Sequence, residues 1–226
     1  MSVRAQTPFQ FYTSLILQEA TGLRAATLPQ LLDLLKQVPE ASIYHHTHYF
    51  LRAHHYLTPE PSNDFAYWVM EVLGEEPLGE RLAAIDTVSY ATLEELRGAL
   101  VEAVTSYLQQ TPTAHLRFVG EGQEFFFVKS IHVIMPTDHT ASTLQEFAAA
   151  LEEISINSLY FHSFDARLHV KGRTNDFGVW LKEQLGLAAL AENVSHLDPY
   201  AHTLEALRSI LLSLVHQQLA HDMVRA

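Results

Sequence analysis

Two segments of this chain, NDFAYWVMEVLGEEPLGERLAAID over residues 63–86 and NDFGVWLKEQLGLAALAENVSHLD over residues 175–198, align without a gap and share ten of twenty-four positions. A pattern written twice asks for one structural unit built twice, which restricts the fold more than composition does. The match extends outward. At an offset of 116, FQFYTSLI (9–16) meets FFFVKSIH (125–132), Thr27 and Leu28 meet Thr143 and Leu144, and Ser42, Tyr44 and His46 meet Ser158, Tyr160 and His162. At an offset of 111, TLEELR (92–97) meets TLEALR (203–208). The offset changes only between 46 and 63 and between 86 and 92, where connections tolerate altered length. The reading is a tandem duplication with units over residues 1–112 and 113–226.

Each unit reads alike. Phe9, Phe11, Thr13, Leu15 and Leu17 alternate as a strand, as do Phe125, Phe127, Lys129, Ile131 and Val133. A helix follows, opened by Thr27 with Gln30, or Thr143 with Glu146, in capping-box spacing. A second helix is expected from near Ser42 and Ser158. Asn63 and Asn175 read as N-caps with Asp64 and Asp176 in the first turn, where the helix dipole favours an anion. Gly74 and Gly186 read as the residues just past those helices, and Thr92 with Glu95 opens the last one. GEGQ (120–123) suggests an extra hairpin strand before the second copy. The expected fold class is helix-rich α+β: a strand plus four or five helices, duplicated. Because a unit of about 100 residues buries a modest core, the copies are expected to pack as an intramolecular pseudo-twofold dimer with the strands at the interface.

Composition narrows the function. The formal charge is −12, with 14 Lys and Arg against 26 Asp and Glu, so phosphate backbones are repelled and no nucleic-acid partner is expected. No cysteine is present, which excludes disulfides, thiolate metal sites and cysteine nucleophiles. No apolar run is long enough to span a membrane, and the N-terminus lacks a secretory pattern, so a cytoplasmic protein, monomeric or homodimeric, is expected. Nucleotide-cradling glycine loops and nucleophile elbows are missing.

Residues shared by both copies are read first as architecture. Trp68 and Trp180, with Phe65 and Phe177, are expected in the core. Tyr44, His46 and Asp64, with Tyr160, His162 and Asp176, form a possible duplicated polar site. His46 falls on an inward helical face with Ile43, Phe50 and Leu57, and its ring needs partners that Asp64 or Asp86, and in the second copy Asp176 or Asp198, can supply.

Unshared residues are where a special function would sit. SIYHHTHYFLRAHH (42–55) sets His45, His48 and His55 at helical spacings that suit Zn²⁺ or another divalent transition metal, though His48 to His55 spans about 10.5 Å of helix. With no HExxH and no carboxylate inside the cluster, surface histidines are the expected reading and no cofactor is assigned. In the second copy Arg167, His169, Lys171 and Arg173, with Lys129 on the strand, form a possible anion site, and the expected loop MPTDHT adds Asp138 and His139.

The strings SIYHHTHYFL, PEPSNDFAYWV, LGERLAAIDT and TNDFGVWL resemble a bacterial group catalogued as domain-of-unknown-function family 5752, over most of the chain. The resemblance implies a soluble bacterial protein and no activity. The expected function is a binding or interaction protein, contacting a protein or a small anionic ligand, rather than an enzyme. The alternative is a histidine-dependent metalloenzyme of hydrolase type using the 45–55 cluster.

Overall fold

Each strand begins with alternating apolar side chains and runs on past them: β1 runs Phe9–Ala25 and β2 Phe125–Ala141. The computed structural model describes residues 3–49, 62–166, 175–197 and 202–225. β1 and β2 pair as a two-stranded sheet. Arg24 meets Glu124 at 3.2 Å, Glu19 meets Lys129 at 2.9 Å, and Thr137 Oγ1 donates to Phe11 O at 2.9 Å. Partner numbers rise along one strand as they fall along the other, so the pair is antiparallel. MPTDHT therefore belongs to β2 rather than to a loop, because Thr137 and its neighbours are paired to β1. The extra hairpin strand expected before β2 is not formed: the chain turns at Gly122, with φ +86°, and carries no strand between residues 112 and 124.

The helices follow in chain order: α1 (Leu28–Leu35), α2 (Glu40–Tyr44), α3 (Asp64–Tyr67), α4 (Glu76–Ala83), α5 (Leu93–Gln110), α6 (Leu144–Glu153), α7 (Ile156–Tyr160), α8 (Asp176–Glu183), α9 (Ala188–Ser195) and α10 (Leu204–Arg225). α2, α3 and α7 widen into π-helical turns at His45–Tyr49, Trp68–Val72 and Phe161–Asp165. Among the described residues no helix is long and apolar enough to cross a membrane.

Local chemistry sets the helix ends. Thr27, Thr92 and Thr143 accept from the amides of Gln30, Glu95 and Glu146, while those third-position side chains take the amide just ahead of each cap. Asn63 and Asn175 cap α3 and α8 through Ala66 N and Gly178 N, and their side-chain amides reach Leu82 O and Val194 O. Gly74 and Gly186 take positive φ, 76° and 70°, and end those helices.

The chain divides into two compact units, residues 1–15 with 132–226, and residues 16–131. In the unit of 16–131, Phe125 and Phe127 from the start of β2 pack with Leu28, Leu31, Ile43, Phe65, Trp68 and Leu100. In the unit of 1–15 with 132–226, Phe9 and Phe11 from the start of β1 pack with Leu144, Phe147, Phe177, Trp180 and Leu211. Each helical set thus takes its aromatic strand residues from the strand that opens the other sequence repeat. Trp68 Nε1 donates to Gln123 O at 2.7 Å, and Trp180 Nε1 to Thr7 O at 3.0 Å, fixing the entry to each of these strand segments.

Candidate functional site

The polar residues common to both repeats meet inside each unit in one arrangement. His46 Nδ1 lies 2.7 Å from Asp64 Oδ2, and Val128 N donates to His46 Nε2 at 3.0 Å. His162 Nδ1 lies 3.0 Å from Asp176 Oδ2, and Tyr12 N donates to His162 Nε2 at 2.7 Å. A backbone amide can only donate, so Nε2 holds a lone pair and Nδ1 carries the proton toward the carboxylate in both rings. Each neutral imidazole ties an edge amide of a two-stranded sheet to the first turn of α3 or α8. That covers a strand edge that would otherwise face a partner or bury an orphan donor.

Aromatic rings surround both imidazoles. His46 is in contact with the rings of Phe65, Phe125 and Phe127, and His162 with those of Phe9, Phe11 and Phe177. Burial among these rings lowers the His162 pKa, with the Asp176 carboxylate opposing. Ser158, one turn before His162, donates from Oγ to Tyr12 O at 2.6 Å, so both backbone groups of Tyr12 are satisfied. Tyr44 and Tyr160 are buried, but they stack on His48 and pack on Phe164 rather than joining the His–Asp pairs. Asp86 accepts from Val88 N in its own turn and takes no part, and Asp198 lies outside the described residues.

The histidine cluster departs from the surface reading. His45 is 7% and His48 1% exposed. His45 Nδ1 sits 2.9 Å from Ser130 Oγ on β2, and its ring stacks on Tyr49 at 4.9 Å. His48 Nδ1 meets Thr47 Oγ1 at 3.0 Å while its ring stacks on Tyr44 at 5.4 Å. The two rings stack on different tyrosines. Each pair is four residues apart, and both histidines lie in the π-helical turn, where the Thr47 hydroxyl donates to the Ile43 carbonyl at 2.7 Å. Burial is the main reason the His45 pKa falls to about 4, with neighbouring His46 adding and Asp64 opposing. His55 lies outside the described residues, and so do Phe50 and Leu57. Among the described residues no group of three or more His, Asp or Glu side chains is placed to hold a metal ion.

Of the anion-site candidates, Lys129 is engaged across the sheet with Glu19 at 2.9 Å. Arg167, His169, Lys171 and Arg173 lie outside the described residues. His139 faces Glu153 at 3.6 Å.

Two buried polar features escaped the sequence reading. Arg97, 8% exposed, donates from Nη1 to Leu35 O and Val38 O, both at 2.7 Å, and Arg208 does the same to Leu151 O and Ile154 O at 2.7 and 2.8 Å. These arginines satisfy the carbonyls released at the ends of α1 and α6. Their signal was present, since both close a matched TLE-x-LR string. The second feature is unpatterned. Glu75, 7% exposed, accepts from Tyr107 Oη at 2.5 Å and pairs with Arg117 Nε at 3.2 Å. Leu187 and Gln218 occupy the equivalent positions at the offsets of 112 and 111, so no repeat could flag it.

Chemically, then, the shared polar residues close strand edges and helix ends, and their donors and acceptors face one another. The solved structure titled "The structure of OrfY from Thermoproteus tenax" is similar over 95% of this chain and 96% of that one, with a TM-score of 0.81 and 30% identity. No curated protein matches the chain. The sequence model described as "Family of unknown function (DUF5752)" matches residues 6–216, and the chain belongs to that family.

Proposed function

We propose that this protein is a non-catalytic binding protein. Its scaffold arose by tandem duplication of a strand-plus-helix unit, and the two copies are related by a pseudo-twofold inside one chain. It works in the cytoplasm as a monomer or homodimer and contacts another polypeptide; a small anionic ligand is the other class the sequence points to. One observation carries this reading. His46 and His162, the imidazoles that a duplicated active site would use, have both ring nitrogens engaged by Asp64 with Val128 N and by Asp176 with Tyr12 N. A general base or a metal ligand needs a nitrogen lone pair facing substrate or ion, and these face strand amides.

Chemical cross-linking of the full chain in its native host, followed by purification and mass spectrometry, tests the reading. A stoichiometric polypeptide that binds again when both are purified is the expected result. Hydrolysis of ester or phosphodiester substrates that rises with added Zn²⁺ and is lost in His45→Ala would overturn it.

A further inference from the structure

We infer that the outer edge of β1, over residues 16–20, pairs antiparallel with the same edge of a second copy and joins two two-stranded sheets into one of four strands. The inference goes beyond the binding reading, which holds with or without it. Tyr12 shows which side of β1 faces outward. Its N–H donates to His162 Nε2 at 2.7 Å and its carbonyl accepts from Ser158 Oγ at 2.6 Å, so both groups point away from β2. Residues two apart in a strand turn their backbone groups to the same side, so Ile16, Gln18 and Ala20 also present theirs outward. Gln18, Glu19 and Ala20 are exposed, and among the described residues no hydrogen bond reaches the backbone of Ile16, Gln18 or Ala20 from outside the sheet.

The open run has fixed ends. Ser14, two residues before it, is buried, and Gly22, two residues after it, leaves regular strand geometry at φ +76°. The opposite edge of the sheet is closed differently. Ala20 matches Pro136 at the offset of 116, and Pro136 on β2 has no N–H to offer outward. One edge open and one lacking a donor gives an assembly that stops at two copies.

Hydrogen-bond chemistry chooses the occupant. Donors and acceptors that alternate along a strand edge are matched by another extended backbone, and neither lipid nor nucleic acid offers that alternation. A second copy offers it already held straight by its own β2, so it avoids the ordering cost that a disordered segment pays. The run is also its own complement. A twofold at Gln18 sets Ile16 against Ala20 of the second copy, Gln18 against its mate and Ala20 against Ile16, for six backbone hydrogen bonds. Leu17, 54% exposed, then faces Glu19 of the second copy, and the two Glu19 side chains avoid direct opposition. Each copy carries a formal −12, but Glu19 is paired with Lys129 at 2.9 Å and salt screens more distant charge. Five residues a side make a small contact, so monomer and dimer exchange reversibly with concentration.

Sedimentation velocity of the purified full chain over a range of concentrations tests this, together with single cysteines introduced into a chain that has none. A reversible dimer is expected. Ala20→Pro should weaken it about tenfold or more, because two hydrogen bonds go at once. Its circular dichroism should match wild type, since proline already occupies the matching place in β2. Gln18→Cys should oxidise to a covalent dimer at least about tenfold faster than Ala20→Cys. The mated Cα atoms lie about 5.5 Å apart at position 18, within disulfide reach, and about 14 Å apart at position 20. A chain that stays monomeric at every concentration would overturn the inference, as would a dimer that Ala20→Pro leaves intact or equal oxidation at the two positions. None of these outcomes touches the binding reading, which stands or falls on the recovered polypeptide.

Discussion

His162 Nε2 accepts the amide N–H of Tyr12 at 2.7 Å while Nδ1 faces Asp176 Oδ2 at 3.0 Å, so one imidazole fastens a strand edge to the first turn of a helix. Replacing it by alanine strands a strand amide and a carboxylate. His162→Ala should lower stability by about 1–3 kcal/mol, the cost of leaving buried groups unsatisfied. Asp176→Asn keeps an acceptor for Nδ1–H and should cost less. Urea unfolding of both variants measures this, and an unchanged midpoint for His162→Ala would remove the lock.

Acid should weaken the fold through buried histidines. Burial lowers the pKa of His162 and takes His45 to about 4, whereas the unfolded chain takes up its proton near the ordinary value of about 6.5. Between those values the unfolded state binds more protons, so stability is full above about pH 6.5 and falls as the pH drops through the window. Each such histidine contributes a slope of at most about 1.4 kcal/mol per pH unit. His45→Phe installs the residue found at the matching position 161, and it should flatten the profile between pH 6.5 and 4. Urea midpoints measured across that range decide it; a slope equal to wild type would refute the assignment to His45.

Arg97 holds two carbonyls at once, Leu35 O and Val38 O, from one buried nitrogen. An ammonium is a point charge on a flexible stem and does not reproduce a planar fork. Arg97→Lys and Arg208→Lys should each cost about 1–3 kcal/mol although charge is conserved. A loss under half a kcal/mol in thermal unfolding would show that charge alone suffices.

Two helical glycines separate packing from propensity. A Cβ built on Gly79 meets Met70 Cβ at 2.6 Å, while one on Gly98 meets nothing within 4 Å. Gly79→Ala should destabilise by about 1–3 kcal/mol through overpacking. Gly98→Ala, inside α5, should stabilise by about 0.5–1 kcal/mol through helix propensity. Differential scanning calorimetry reads both, and equal effects of either sign would contradict the contact at Met70.

The residues that the sequence reading placed best are those acting within a turn of themselves. Thr27, Asn63, Thr92, Thr143 and Asn175 cap helices, and Gly74 and Gly186 end them, because an Asx, Thr or Gly position solves a local hydrogen-bond problem. His46 was turned inward by helical spacing and given an aspartate, and it has both. Its second partner, Val128 N, comes from 82 residues away, and no periodicity reaches that far.

The misplaced residues share that cause. The sequence pattern reads His45 and His48 as surface histidines on a regular helix, yet both are buried in a π-helical turn, where His45 meets the Ser130 hydroxyl of β2. Glu75 and Tyr107 looked ordinary until α5 brought the phenol against the carboxylate. By itself the sequence determined where helices begin and end, which faces turn inward, and which segments match one another, since all of these are encoded within a few residues or by direct comparison. Only the tertiary structure decided which strand feeds which helices and which imidazoles lose their water. Those outcomes depend on the entropy and packing of contacts between distant segments, and neighbouring letters carry no record of them.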